Sequence, residues 1–329
     1  LQASTLAERI EKILSEPAAR QSFWGVKAVD LGSGQTLYEH NPDRLFVPAS
    51  NTKLFSTALG LGRLGPEHRF LTRVAAAAPP DETGRIAGDV ALVGGGDPNL
   101  SARVLPYDPR RQFSGHPFQA LEELAAEVAA LGVRQIDGDI VGDDTYYLWD
   151  PYATGWAYDD TTAGYGAPVS ALVVNDNTVT LEIRPGDRAG EPALVGIEPW
   201  TGVFALDNRI RTVATRSGPR AIRIHRVPGD PVLRLWGEIA LGERARSETL
   251  AVDDPALLAA QAFRDALVRR SIAVEGRAVS RHAMPYEAAA ETSYALTLAS
   301  RSSMHLLEAL RVINKVSQTL HAEVVLREV

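Results

Sequence analysis

The chain has no cysteine among its 329 residues. Disulfides, thiolate metal sites and a cysteine nucleophile are therefore excluded, and the absence fits an exported bacterial protein. Lysine is almost absent too. Only Lys12, Lys27, Lys53 and Lys315 occur, so 30 of the 34 basic residues are arginine. Arginine keeps its proton at any physiological pH, whereas a desolvated lysine can lose it and act as a base. Lys53 is thus a candidate for chemistry that arginine cannot perform, with a chance surface lysine as the plain alternative. A net charge of −7 argues against a nucleic-acid partner and shows no basic patch for a membrane surface. No run approaches the ~20 apolar residues of a membrane span. Seven histidines occur with no H-E-x-x-H or H-x-x-x-H spacing, so neither a metal nor any other cofactor is expected. The run Val93–Pro98, VGGGDP, lacks the lysine and Ser/Thr of a phosphate loop and reads as a turn. Leu1 is not an initiator methionine, which is how a chain that has lost a signal peptide begins.

What remains is an ordinary soluble composition, 45% hydrophobic and 23% charged, in a chain long enough for two or three domains. LAERIEKILSE places Leu6, Ile10 and Leu14 at helical steps, and the residues around Gly32-Ser33-Gly34 read as a hairpin. Pro48 stops the extended structure, and Ser50 is expected to open a helix with Leu54, Ala58 and Leu61 on one face. From about residue 73 strands and turns dominate, joined by the helical segments FQALEELAAEVAALG and DPALLAAQAFRDALVRR, and the last segment is helical in period. A β-rich block interrupting a helix-rich one is the pattern of an inserted domain. The expected division is 1–72 with 290–329 for the helix-rich part and 73–289 for the insertion, itself two subdomains.

Ser50 and Lys53 form the chain's single S-x-x-K, since Arg9, Trp24 and Val312 stand three residues before the other lysines. On a helix, residues i and i+3 share a face, so the lysine amine can reach the serine oxygen and accept its proton. A serine at a helix start also serves simply as an N-cap, and both readings stand at this point.

The flanking stretch VPASNTKLFSTALGLGRLGPEHRF resembles the nucleophile region of penicillin-binding proteins of the D-alanyl-D-alanine carboxypeptidase/endopeptidase class, the DacB type of peptidase family S13. LVGGGDPNLS, GDIVGDDTYY, GYGAPVSALVVNDN and INKVSQTLHAEVVLRE are similar to further signatures of that family, in family order. The resemblance implies an α+β multidomain fold: a β-lactamase/transpeptidase-like catalytic domain, helices on an antiparallel sheet, interrupted by a large β-rich insertion. It implies that Ser50 is the acylated nucleophile, Lys53 its proton acceptor, and Ser317 the second-motif serine that passes a proton to the leaving group. Thr319 then stands where the family has asparagine, and a hydroxyl offers one donor in place of an amide's two donors and carbonyl. In the inserted domain the family carries an aspartate that receives the free amino group of the stem peptide; Asp144 is the first choice and Asp143 the second, against a turn-and-cap role for Gly142–Asp144.

No K-T-G occurs, and Lys315 is the one lysine after Lys53, whereas the family continues past the second motif to a strand carrying K-T-G. The expectation is a catalytic domain incomplete at its C-terminus. The implied activity is a serine-type D-Ala-D-Ala carboxypeptidase, with endopeptidase activity in some relatives, acting on peptidoglycan in the periplasm or outside the cell. Its partners would be the peptidoglycan stem peptide and β-lactams, with a homo-oligomer left open. Thr319 and the missing K-T-G motivate a competing reading as an impaired wall-binding or scaffold homologue. A β-lactamase or esterase shares the S-x-x-K but normally lacks so large an insertion.

Overall fold

The computed structural model describes residues 5–215, 221–286 and 294–329, so the expected boundary at 289/290 lies outside the described residues. The chain forms two units, 1–52 and 53–329. In the first, α1 (Leu6–Leu14) starts at a capping box: Thr5 accepts from the Glu8 N–H, and the Glu8 side chain returns to the Thr5 N–H. The short α2 (Pro17–Arg20) follows, then β1 (Val26–Val29) and β2 (Thr36–His40) as an antiparallel pair. Asp30 closes their turn by accepting from the backbone and hydroxyl of Ser33.

From Lys53 on, the second unit holds the rest of α3 (Thr52–Leu64), then β3 (Leu71–Ala76), β4 (Arg85–Ile86), β5 (Val90–Val93), β6 (Asp97–Leu100) and α4 (Gln119–Ala130). Next come β7 (Gln135–Ile136), β8 (Ile140–Leu148), β9 (Leu172–Val174), β10 (Thr178–Arg184), β11 (Leu194–Glu198) and β12 (Ala205–Val213). Then follow β13 (Arg223–His225), β14 (Val232–Ala240), β15 (Arg246–Ala251), α5 (Pro255–Arg269), β16 (Ala273–Val274) and β17 (Ala278–Ala283). Last are β18 (Leu296–Ser302), α6 (Leu306–Val316) and α7 (Thr319–Glu328).

A mixed five-stranded sheet runs β17-β8-β5-β3-β18, parallel among the first three strands and antiparallel from β5 to β18. Helix α5 starts at Asp254, whose carboxylate accepts from the Leu257 N–H at 2.8 Å. It covers the sheet at β8 and β17 and packs beside α4. The approach is so close that a Cβ on Gly142 would lie 2.0 Å from the Ala256 carbonyl oxygen, which is why the middle of β8 carries a glycine. Val90, Leu92, Leu121, Ile140 and Phe263 are fully enclosed in this core, each worth ~1.5–3 kcal/mol of burial.

β3 and β18 pair along their length, from Leu71 opposite Ser302 to Ala76 opposite Leu296. The chain therefore leaves towards the β-rich region and returns from it on adjacent strands.

The expected helix after Pro48 is present as α3, but its inward face differs from the periodic reading. Thr57 and Gly60 are buried, whereas Leu54, Ala58 and Leu61 lie at the surface. The cause is the closeness of α7: a Cβ on Gly60 would come within 2.5 Å of Val325 Cγ1, so that side of α3 admits only small residues. Gly142–Asp144 sit within β8 and not in a turn.

Candidate active site

Ser50 belongs to the first unit. It is the middle residue of a 3₁₀ turn, Ala49–Asn51, whose preceding residue is Pro48, and it is exposed. Ser50 is therefore not an N-cap residue. Ala49 has φ 47°, in the left-handed region, which costs a residue with a Cβ about 1–2 kcal/mol. Strain of this kind persists only where the surroundings impose it, and it clusters at functional sites.

Lys53, in the second unit, is the second residue of α3 and half-buried. Burial lowers its pKa, and the Glu323 carboxylate on α7 opposes the shift. Glu323 is itself pushed up by burial, with Arg327 and Lys53 pulling it down. One turn beyond Lys53, the Thr57 hydroxyl donates to the Lys53 carbonyl at 2.8 Å and meets the Asn314 side chain at 3.3 Å. Segments more than 250 positions apart in the chain are joined here, and α3, α6 and α7 become one assembly.

The C-terminal helical segment breaks at Ser317. This residue is the C-cap of α6 in the left-handed conformation, φ 59° and ψ 38°, and it is exposed. Gln318 is the N-cap of α7, its side-chain oxygen accepting from the Leu320 N–H at 3.2 Å, and Thr319 is the first residue of α7. α7 is apolar on two sides. Leu320 and Val324 pack with Tyr147, Val169 and Val173, while Ala322 and Val325 pack with Phe70, Leu310 and Ile313 of the α6 side.

Asp143 and Asp144 are neighbours on β8 and face opposite ways. Asp144 is enclosed: the Ser170 hydroxyl donates to it at 2.8 Å, and His282 Nδ1 lies 2.8 Å from its other oxygen. The ring of Trp149 stacks on that imidazole at 3.9 Å, and Asp254 stands 3.6 Å from its Nε2. Burial pushes His282 down, but its hydrogen bonds to the two carboxylates outweigh this and hold its pKa at about 9. Asp143 accepts from the Thr145 N–H at 3.0 Å and the Thr145 hydroxyl at 2.6 Å, with Arg281 at 4.0 Å. It borders a cavity of about 430 Å³ with Arg73, Thr145, Tyr146, Tyr294 and Glu328. Glu328 ends α7, where it accepts from the hydroxyls of Tyr146 and Tyr147 at 3.0 and 2.9 Å. Thr319 is thus at one end of α7 and the cavity of Asp143 at the other, about 14 Å apart at 1.5 Å per residue.

Sequence reasoning missed Asp176, Arg103, His282, Asp254 and Glu323. The Asn175-Asp176-Asn177 triplet carried a usable signal, because Asn and Asp are the residues that tolerate left-handed backbone. Among the described residues no group of three His, Cys, Asp or Glu side chains is arranged to hold a metal ion, and no helix is long and apolar enough to cross a membrane.

Comparison with known proteins gives the family of the chain. The model of the D-Ala-D-Ala carboxypeptidase 3 (S13) family matches residues 6–329. A D-alanyl-D-alanine carboxypeptidase of Actinomadura sp. strain R39 is 34% identical over 330 residues, covering 98% of this chain and 57% of that protein. The DacB carboxypeptidase of Haemophilus influenzae is 23% identical over 201 residues, 59% of this chain and 38% of the relative. The crystal structure of penicillin binding protein 4 (dacB) from Haemophilus influenzae superposes with a TM-score of 0.76 at 20% identity, covering 92% of this chain and 61% of that one. A second structure of that protein, complexed with a β-lactam, gives 0.67 at 19% identity over 92% and 59% of the two chains. The chain therefore spans 57% of the Actinomadura relative's length.

Proposed function

Because the chain belongs to the D-Ala-D-Ala carboxypeptidase 3 (S13) family, we propose that it serves a serine-type D-Ala-D-Ala carboxypeptidase acting on peptidoglycan stem peptides through an acyl-enzyme on Ser50. Neutral Lys53 takes the Ser50 proton as the serine oxygen attacks the carbonyl between the terminal D-alanines. The tetrahedral intermediate collapses with cleavage of the C–N bond. The departing D-alanine amine takes its proton through Ser317, and water then releases the peptide from Ser50. A β-lactam acylates the same oxygen when its ring amide opens.

The observation that carries this reading is the gathering of α3 with α6 and α7, through Gly60 against Val325 and Thr57 against Asn314, which brings the lysine and the second motif into one assembly. Burial shifts the Lys53 pKa downwards, against the pull of Glu323, which is the direction that favours the unprotonated amine the step requires. The pairing of β3 with β18 supports reading the strand-rich region between them as an insertion into a catalytic domain of residues 1–72 and 290–329. Within that insertion, Asp143 is the better candidate for reading a free amino group, because it borders the cavity while Asp144 is spent on His282 and Ser170. The span of about 14 Å along α7 equals about four residues of extended peptide. Thr319, first in α7, would meet the substrate amide with a hydroxyl. Work on peptidoglycan places the protein outside the cytoplasmic membrane, in the periplasm or beyond, and needs no cofactor.

Incubation of the full-length protein with a labelled penicillin tests this. One label is expected, on the peptide containing Ser50. Ser50→Ala should abolish it, and Lys53→Arg should be nearly as damaging because arginine keeps the charge but cannot accept the proton. Label on a different serine would remove Ser50 as the nucleophile.

A further inference from the structure

Three consecutive residues between β9 and β10 adopt left-handed backbone: Asn175, Asp176 and Asn177, at φ 50°, 54° and 55°. Asn and Asp tolerate this conformation, but as single residues, so a run of three raises the question of what holds it. The two asparagines close the turn. Asn177 Oδ1 accepts from the Val174 N–H at 3.0 Å and its Nδ2 donates to the Pro168 carbonyl at 3.1 Å, while Asn175 Nδ2 donates to the Thr178 carbonyl at 2.8 Å. Asp176 makes none of these bonds. Its carboxylate points away from the turn into a largely buried site, and three donors from elsewhere in the chain meet it.

Arg103 Nη2 donates at 2.6 Å and Gln318 Nε2 at 2.9 Å, both to Oδ2, and His321 Nε2 lies 2.9 Å from Oδ1. Arg103 is itself held under the ring of Phe113 at 4.4 Å, and His321 is fully buried. Two of the three donors flank the helix break that carries Ser317 and Thr319. The Gln318 amide is used at both ends, its oxygen capping α7 and its nitrogen on Asp176. Ser317, one residue earlier, sits in the left-handed conformation that directs the chain from α6 into α7.

We propose that Asp176 is a positioning residue for Ser317: from the strand-rich region it grips Gln318 and His321, and so fixes the turn that presents the serine hydroxyl. This rests on the assignment of Ser317 to proton transfer. A carboxylate suits the task because it accepts several hydrogen bonds at once, and because charge-assisted bonds are short and stiff. Burial raises the pKa of Asp176, yet His321 and Arg103 outweigh it and bring it to about 2, so the acceptor stays ionised throughout the working range.

A double-mutant cycle in the full-length protein tests the proposal, with the rate of Ser50 acylation by a labelled penicillin as readout and the thermal midpoint reporting the fold. Ser317→Ala and Asp176→Asn should each slow acylation tenfold or more. The double variant should be no slower than Ser317→Ala alone, within a factor of about two, because a positioning residue has nothing left to position. A general loss of structure would instead multiply the two effects, and that result would overturn the proposal. Native-rate acylation by Asp176→Asn beside a slow Ser317→Ala would overturn the positioning alone. Native-rate acylation by Ser317→Ala would overturn the assignment of Ser317 and the positioning with it. Should Asp176→Asn fail to fold, Gln318→Ala removes one donor, keeps the Arg103 pair, and carries the same cycle with the same outcomes.

Discussion

Two clusters in the second unit use the same residue types in opposite senses. In one, the His282 imidazole lies between the carboxylates of Asp144 and Asp254, under the face of Trp149. In the other, the Asp176 carboxylate lies between Arg103 and His321, with Gln318 as a third donor. The first joins β8, β17 and the start of α5, elements of one sheet and the helix that covers it. The second joins the turn after β9 to the start of α7, and so links the strand-rich region to the helices that pack on α3. An ionised group surrounded by opposite charge is costly to break wherever it lies, but only the second cluster touches residues adjacent to a proposed catalytic serine. Residue composition does not separate strut from positioning device; the elements tied together do.

The sharpest way to break this comparison is to empty the centre of the first cluster. His282→Ala leaves Asp144 and Asp254 facing each other without a cation, and loss of one partner from a buried ionic group costs about 3–5 kcal/mol. A large drop in thermal midpoint is expected, with the acylation rate per folded molecule close to native. A loss of acylation rate at temperatures where His282→Ala is fully folded would make the two clusters alike.

The next effect separates the neighbours on β8. Asp143→Asn should lower kcat/KM for stem peptides bearing a free amino group by roughly 10- to 100-fold, the ~1.5–3 kcal/mol of a hydrogen bond to a charged group. Penicillin acylation, which needs no amine, should change little. Asp144→Asn should lower stability and leave the ratio of the two rates alone. Equal losses on both substrates in Asp143→Asn would withdraw Asp143 from amine recognition.

The smallest effect is the pH response, and its sign is opposite in the two clusters. His282 has its pKa raised from 6.5 to about 9, so its contribution to stability is complete below about 6.5 and is lost as pH rises through about 9. Asp176 is lowered from 3.8 to about 2, so its contribution is present above about 3.8 and is lost as pH falls through about 2. Thermal midpoints measured between pH 6.5 and 9 should therefore decline more steeply in the native protein than in His282→Gln. Parallel curves would mean that the imidazole is not held charged by its two carboxylates.

Much of this was legible in the sequence, and the reasons are local. The helices α1, α3, α4 and α5 announced themselves by apolar period, and the hairpin of β1 and β2 by Gly32-Ser33-Gly34. Ser50, Lys53 and Ser317 are the candidates that spacing and family resemblance single out. The inward face of α3 was not, because period marks apolar residues, and here close approach of α7 selected Thr57 and Gly60 instead. The break at Ser317 lay within a helical period, and Gln318 beside it bonds to Asp176, a partner 142 positions away. His282 gave no signal at all, since nothing in its neighbours along the chain announces Asp144 or Asp254. Which of Asp143 and Asp144 borders a cavity depends on the face of β8, which alternation along a strand leaves open.

The left-handed run at Asn175–Asn177 also bears on how the chain reaches its native state. Its local bonds close the turn, but the partners that hold Asp176 include Arg103 and His321, 73 and 145 positions away. Contacts of such long separation carry a larger loop-closure cost than the bonds within the turn. The bonds within the turn are local, whereas those from Gln318 and His321 to Asp176 need α7 in place. The carboxylate is thus a latch between a turn of the strand-rich region and the helix that follows Ser317.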